Sequence, residues 1–129
     1  MLSREDNERL TRVGPGTPMG ELLRELWTPA LRSAALIGGE SPKPFRLLGE
    51  DLVAYRDAKG RVNILQKACP HRRTSLALAR NEGDGIRCIF HGWKFNGEGK
   101  TIDCPTEPAD RREAFAARVP VTHYPDRKS

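Results

Sequence analysis

The hydrophobic rhythm of the chain changes once, between residues 30 and 45. Before the change, Met19, Leu22, Leu23, Leu26 and Trp27 recur at helical spacing, with Glu21, Arg24 and Glu25 between them. Thr17 can serve as N-cap, and Pro18 suits the first helical position because its missing N–H is not needed there. Pro29 ends the pattern, since the residue before a proline avoids the α region. The apolar stripe reads as a packing face, on this domain or on another part of the protein. Residues 1–16 are polar and glycine-bearing and predict an irregular arm.

From Phe45 the pattern is one of short strands. Phe45-Arg46-Leu47-Leu48, Leu52-Val53-Ala54-Tyr55 and Val62-Asn63-Ile64-Leu65 are separated by the turns Gly49-Glu50-Asp51 and Asp57-Ala58-Lys59-Gly60. Further strands are predicted at Ile86-Arg87-Cys88-Ile89, after Gly83-Asp84-Gly85, and at Trp93-Lys94-Phe95. The latter runs into Asn96-Gly97, a strong hairpin signal. Strands every eight to twelve residues predict a mainly β fold, a small antiparallel barrel or sandwich with one short N-terminal helix. Arg111 to Ala117 predicts a helical turn within a proline- and charge-rich remainder. The expected division is an arm and amphipathic helix over residues 1–33 and a β domain over residues 34–129.

Composition narrows the classes. A chain of 129 residues suits one domain, and 37% hydrophobic with 30% charged residues reads as soluble and globular. No apolar run approaches the roughly 18 residues of a membrane span. The charged N-terminus is unlike a secretory signal, so a cytoplasmic location without membrane association is expected. The net charge of +5 is scattered, with no basic tail, which gives nucleic-acid binding little support. Three cysteines, two of them inside histidine-containing motifs, point to metal and away from a disulfide framework.

Those motifs are Cys69-Pro70-His71 and Cys88-Ile89-Phe90-His91, separated by sixteen residues (72–87). In extended chain, residues two apart point to one side, so Cys69 and His71 can face one centre. Cys88 and His91 have turn-like spacing, and Gly92 permits a sharp bend and close backbone approach to a cofactor. Two loops within residues 66–105 would then enclose a [2Fe–2S] cluster, with thiolates on the buried iron and imidazoles on the outer one. Two imidazoles in place of two thiolates make such a cluster less negative and raise its potential above an all-cysteine ferredoxin. Loop N–H groups directed at the sulfurs would tune it further. Tetrahedral zinc is the alternative for two Cys and two His. Zinc fingers, however, usually pair cysteines on one knuckle and histidines on a helix, whereas each half here mixes the types.

Cys69-Pro70-His71-Arg72-Arg73, Cys88-Ile89-Phe90-His91-Gly92-Trp93-Lys94-Phe95 and Pro105-Thr106-Glu107-Pro108 resemble the Rieske [2Fe–2S] domain of aromatic-ring-hydroxylating oxygenase large subunits, phthalate 4,5-dioxygenase type. Leu26-Trp27-Thr28-Pro29-Ala30 and Leu47-Leu48-Gly49-Glu50-Asp51-Leu52-Val53 also look like that family, so the resemblance covers about residues 8 to 125. It implies Cys69, His71, Cys88 and His91 as cluster ligands. It implies a flavin and iron–sulfur reductase, or a ferredoxin, as electron donor. The implied acceptor is a mononuclear non-haem Fe(II) catalytic domain, in the same or a neighbouring subunit of a homotrimer. That iron needs two histidines and a carboxylate. Beyond the cluster motifs this sequence has only His123, so the catalytic domain is expected to be missing from a truncated chain, which should not oxygenate a substrate alone. The competing functions are a free-standing Rieske ferredoxin and a zinc-binding interaction module.

Other residues have blander readings. Arg72 and Arg73 are expected at the cluster rim, either docking an acidic partner or simply solvated. Trp93 is expected to shield the cluster. Cys104 reads as a half-buried core residue, His123 as a surface residue, and Glu82-Gly83-Asp84-Gly85 as a turn without the Lys-Ser or Lys-Thr of a phosphate loop.

Overall fold

The computed structural model describes residues 1–127. In chain order it contains α1 (Arg4–Thr11), α2 (Pro18–Arg24), β1 (Lys43–Leu47), β2 (Glu50–Arg56), β3 (Val62–Gln66), β4 (Arg80–Asn81), β5 (Ile86–Arg87), β6 (Lys94–Phe95), β7 (Thr101–Asp103), α3 (Arg112–Ala116) and β8 (His123–Tyr124). The strands form two antiparallel sheets of four, ordered β1-β2-β3-β8 and β4-β5-β6-β7. The fold is mainly β, and of the expected barrel or sandwich it takes the two-sheet form.

The N-terminal region departs from its sequence reading in two ways. Residues 4–11 are helical where an irregular arm was expected. Ser3 caps the helix by accepting from the Asp6 N–H at 3.1 Å, and Glu8 pairs with Arg12 one turn on. The helix buries no residue, so it has no apolar stripe for periodicity to detect; capping and i,i+4 pairing specify it. The second helix stops at Arg24, before the end of its apolar stripe. Leu22, Leu26 and Trp27 are 53%, 61% and 58% exposed, so within this chain the stripe is not a packed face. Polar bonds anchor the helix instead. Arg24 donates to the carbonyls of Val13, Gly20 and Leu48 and to the Glu50 carboxylate, which also accepts from the Tyr124 hydroxyl at 2.7 Å. A guanidinium with five N–H groups can hold that many acceptors at once.

Leu47 pairs with Glu50, which leaves Leu48-Gly49 as a two-residue turn with φ of 48° and 80°. Both positive angles belong to a type I′ turn, which favours Asn-Gly. A leucine in the left-handed region is strained by contact of its Cβ with the following carbonyl. Leu48→Asn is therefore expected to raise stability by roughly 0.5–1 kcal/mol, read as a higher urea midpoint at unchanged m-value.

Strand β2 is buried on both faces, and its period-2 alternation sorts its side chains between two cores. Val53 and Tyr55 join the larger core with Leu65, Leu76, Ile86, Trp93, Phe95, Val121 and all three cysteines. Leu52 and Ala54 face a smaller one with Leu36 and Ile64. The larger core lies against the second sheet, whose strands are two or three residues long. Strands β5 and β6 fall inside the segments predicted at Ile86–Ile89 and Trp93–Phe95, whereas β4, β7 and β8, two or three residues long, lie outside every strand the pattern predicted. Asn96 closes the β6–β7 connection by accepting from the Glu98 and Lys100 amides.

Ion pairs lace the half-buried polar face of this second sheet. Glu82 accepts from Arg87 at 2.9 Å and pairs with Lys94 at 2.9 Å, while Asp84 holds Lys94 at 2.7 Å. The Arg87 hydrogen bond first, and then that of Lys94, hold the Glu82 carboxyl down at about 2. A carboxyl depressed in the folded chain contributes stability that is fully present above its ordinary 4.5 and is lost as pH falls toward 2. Glu82→Gln should thus lower stability at pH 6, and its deficit should close between pH 4.5 and 2 in paired denaturation curves.

Candidate metal centre

Two loops and a third segment build the site. The first loop follows β3. The Cys69 amide donates to the Thr74 carbonyl at 2.9 Å, and the Arg73 amide donates back to Cys69 at 2.8 Å. This tight closure puts Arg73 at φ 64°, a left-handed position for a non-glycine residue. The second loop joins β5 to β6. The Cys88 amide donates to the Trp93 carbonyl at 2.8 Å, and Gly92 donates to the Cys88 carbonyl at 3.1 Å. Gly92 has φ of 78°, and a Cβ there would lie 3.0 Å from Pro105 in the third segment. The expected need for glycine at this bend is therefore met by both conformation and space.

These loops bring the four ligand candidates together by type. Cys69 and Cys88 are 1% and 4% exposed. The Cys69 thiol is pushed up to about 11, first by burial; the neighbouring Cys88 adds to the rise, while the His71 and Arg72 amides, directed at its sulfur, oppose it. The histidines lie further out and are half-exposed, with ring centroids 4.6 Å apart. Burial, followed by the proximity of His91 and Arg72, lowers the His71 pKa and favours its neutral, metal-binding form. All three cysteines are free. Among the described residues no three metal-ligating side chains converge on one ion; the donors form a buried thiol pair and a half-exposed imidazole pair.

A [2Fe–2S] group fits this donor set. Among the described residues Nδ1 of His91 is buried without a hydrogen-bond partner, and a buried ring nitrogen ordinarily finds a donor, an acceptor or a metal. Sulfur-directed amides beside Cys69 suit thiolate ligation, because they stabilise the charged form. Loading such a site displaces the thiol protons, so uptake weakens as pH falls.

The surrounding side chains hold the rings in place. Trp93 is 4% exposed and stacks on His71 at 4.4 Å with 10° between planes. Its indole N–H donates to Thr106 Oγ1 at 2.9 Å, and Phe115 packs edge-on against it. Phe90 lies 4.0 Å from His91 and is 58% exposed, as is its neighbour Ile89 at 54%. Arg72 and Arg73 are exposed beside the first loop. Cys104 is fully buried in the larger core, deeper than its half-buried sequence reading. His123 is exposed on β8 opposite Leu65. The contribution of Thr106 escaped sequence reasoning, although it lies within the Pro-Thr-Glu-Pro segment; only the fold brings that segment under Trp93.

Residues 26–125 match the Rieske [2Fe–2S] domain. The chain belongs to that family. The Rieske domain is 50% identical over 126 residues to the 3-chlorobenzoate-3,4-dioxygenase oxygenase subunit of Comamonas testosteroni, which covers 97% of this chain and 28% of that protein. It is 45% identical over 111 residues to the phthalate 4,5-dioxygenase oxygenase subunit of Pseudomonas putida, covering 84% of this chain and 25% of that one. Among solved structures it is similar to the oxygenase in the reduced oxygenase–ferredoxin complex of carbazole 1,9a-dioxygenase, with TM-score 0.65 and 31% identity over 77% of this chain and 25% of that chain. The chain thus spans about a quarter of the length of each of these three proteins. It is a Rieske domain of the kind found in ring-hydroxylating oxygenases, an electron-transfer module. That solved structure is a complex of an oxygenase with a ferredoxin. No helix among the described residues is long and apolar enough to cross a membrane.

Proposed function

We propose that Cys69 and Cys88 hold one iron of the cluster and His71 and His91 the other, and that this Rieske domain relays single electrons within a ring-hydroxylating oxygenase. The observation that carries this reading is the sorting of donors into a buried thiol pair and an outer imidazole pair, with His91 Nδ1 left unpartnered. Tetrahedral zinc would want four donors around one ion, which that sorting disfavours. When bound, the cluster supplies one-electron chemistry at a potential above that of all-cysteine clusters.

The chain's own residues do the rest. Trp93, fixed by Thr106, keeps the His71 ring in one orientation and keeps water from one side of it. The half-exposed edges of His71 and His91 are the shortest way out for an electron. Exposed Ile89 and Phe90 with Arg72 and Arg73 give that exit an apolar centre and a basic rim, suited to an acidic donor such as a ferredoxin or a flavin/iron–sulfur reductase. The acceptor is a mononuclear-iron catalytic domain, in the same or a neighbouring subunit of a trimer. Beyond His71 and His91 the sequence contains only His123, too few for a two-histidine facial triad, so these 129 residues do not oxygenate a substrate unaided. Residues 1–33 act as an arm and amphipathic helix and residues 34–129 as the cluster-bearing domain. Three free cysteines suit the reducing cytoplasm.

Low-temperature EPR of the dithionite-reduced protein, with iron and sulfide counted on the same sample, tests this reading. Equal iron and sulfide with the low average g of a mixed His/Cys cluster is the expected result. A colourless protein carrying zinc overturns it. Reoxidation of the reduced protein by a catalytic domain supplied separately, and not by one covalently joined, would favour a free-standing ferredoxin.

A further inference from the structure

The second sheet carries an unfavourable row of charges. Arg80 pairs directly with Arg87, and Arg87 directly with Lys94, so three cations lie side by side across β4, β5 and β6. Like charges in direct cross-strand register destabilise a sheet. Here they are offset by carboxylates from the β4–β5 turn and from β7. Glu82 contacts all three cations, Asp84 holds Lys94, and Asp103 holds Arg87 at 2.9 Å. The acidic Glu82-Gly83-Asp84-Gly85 segment is therefore more than a connection: it supplies the counter-ions of the row.

Arg87 differs from its two neighbours in what else it touches. Its Nε donates to Glu82 Oε1 at 2.9 Å, and its Nη1 donates both to Asp103 Oδ2 at 2.9 Å and to the Gly92 carbonyl at 2.6 Å. Gly92 directly follows His91, and Arg87 directly precedes Cys88. The guanidinium thus bridges the two ends of the loop that carries both second-motif ligands. Lys94 makes comparable ion pairs yet has no hydrogen bond to that loop among the described residues. A planar fork can serve three acceptors in fixed directions; an ammonium on a flexible stem cannot hold the same set with the same geometry.

We propose that Arg87 is a positioning residue for the cluster, clamping the Gly92 carbonyl against Glu82 and Asp103 so that Cys88 and His91 keep a fixed separation. The inference rests on the ligand assignment proposed above, and it accounts for a cation in a register where strand stability alone disfavours one. Two carboxylates neutralise most of its charge, so its influence runs through loop geometry and not through its field.

Three variants of the full chain test it: Arg87→Gln, Arg87→Lys and, as a control from the same network, Lys94→Gln. With the cluster loaded, Arg87→Gln should broaden the reduced EPR spectrum and speed cluster loss to a chelator about tenfold. Arg87→Lys should fall between it and the parent. Lys94→Gln should lower the melting temperature while leaving the EPR line shape and the rate of loss at parental values. Amide hydrogen exchange at Cys88 and Gly92 gives a readout that needs no cluster: Arg87→Gln should accelerate it, and Lys94→Gln should not. Parental line shape, loss rate and exchange in Arg87→Gln overturn the proposal, as does an equal effect from Lys94→Gln. A parent chain that binds no iron–sulfur cluster sinks the ligand assignment instead, and the exchange comparison then still decides whether Arg87 holds the loop.

Discussion

Replacing Cys88 with serine should empty the cluster site, reducing iron and sulfide per chain by more than about a hundredfold. The same is expected of Cys69→Ser. Both thiols are buried in the larger core, and among the described residues no other side chain completes a set of three donors beside them. A serine hydroxyl at either position is a far poorer ligand for iron than a thiolate. The discriminating control is Cys104→Ala. Cys104 is fully buried in the same core, yet the variant should keep its full complement of iron. Loss of iron in that variant at unchanged thermal stability would make Cys104 a ligand and break the assignment. Iron and sulfide analysis with the visible spectrum reads all three outcomes.

Phe95→Ala is the change expected to cost the most stability, about 3–5 kcal/mol. Phe95 is fully buried in the larger core and pairs across β5–β6 with Ile86, itself fully buried. Truncation removes most of an aromatic side chain and leaves a cavity between the second sheet and β2, where close packing prevents full collapse. Against the 5–15 kcal/mol typical of a whole domain, that is a large fraction. The lost support also lies one strand step from Arg87 and the second cluster loop, so iron retention should weaken along with stability. Leu78→Ala is the comparison: Leu78 is 59% exposed, and its removal should change stability by less than about 0.5 kcal/mol. Urea unfolding of the two variants beside the parent measures both. A cost below about 1 kcal/mol for Phe95→Ala would mean that the second sheet does not depend on this core.

The proposed ligand set was legible before any fold. Two Cys-and-His motifs are local, and ligand spacing is a property of a few consecutive residues, so Cys69, His71, Cys88 and His91 stand out as ligand candidates from the chain alone. Three of the four strands of the first sheet were legible for a similar reason: β1, β2 and β3 are five to seven residues long, enough for turns and β-rich runs to mark them, whereas the two-residue β8 was not. Helix α1 was not legible, because what specifies it is a Ser3 cap and a charge pair with no buried face. The apolar stripe of α2 misled, since periodicity records that a face is apolar and not whether anything covers it.

Tertiary structure alone decided which other residues hold the motifs in place. From the sequence, thiolates are already expected inside and imidazoles outside; folding supplies the burial that separates them, with both thiols nearly inaccessible and both rings half-exposed. It also brought Thr106 beneath Trp93, Trp93 onto His71, and the Arg87 guanidinium across the second loop to Gly92, between carboxylates from β7 and the β4–β5 turn. These contacts join residues separated along the chain by as many as twenty-two positions, from His71 to Trp93. Local patterns determine which groups the chain can offer a metal, because ligand chemistry belongs to single residues. How firmly those groups are held depends on partners that meet only when the two sheets and their loops pack, and such meetings leave no period in the sequence.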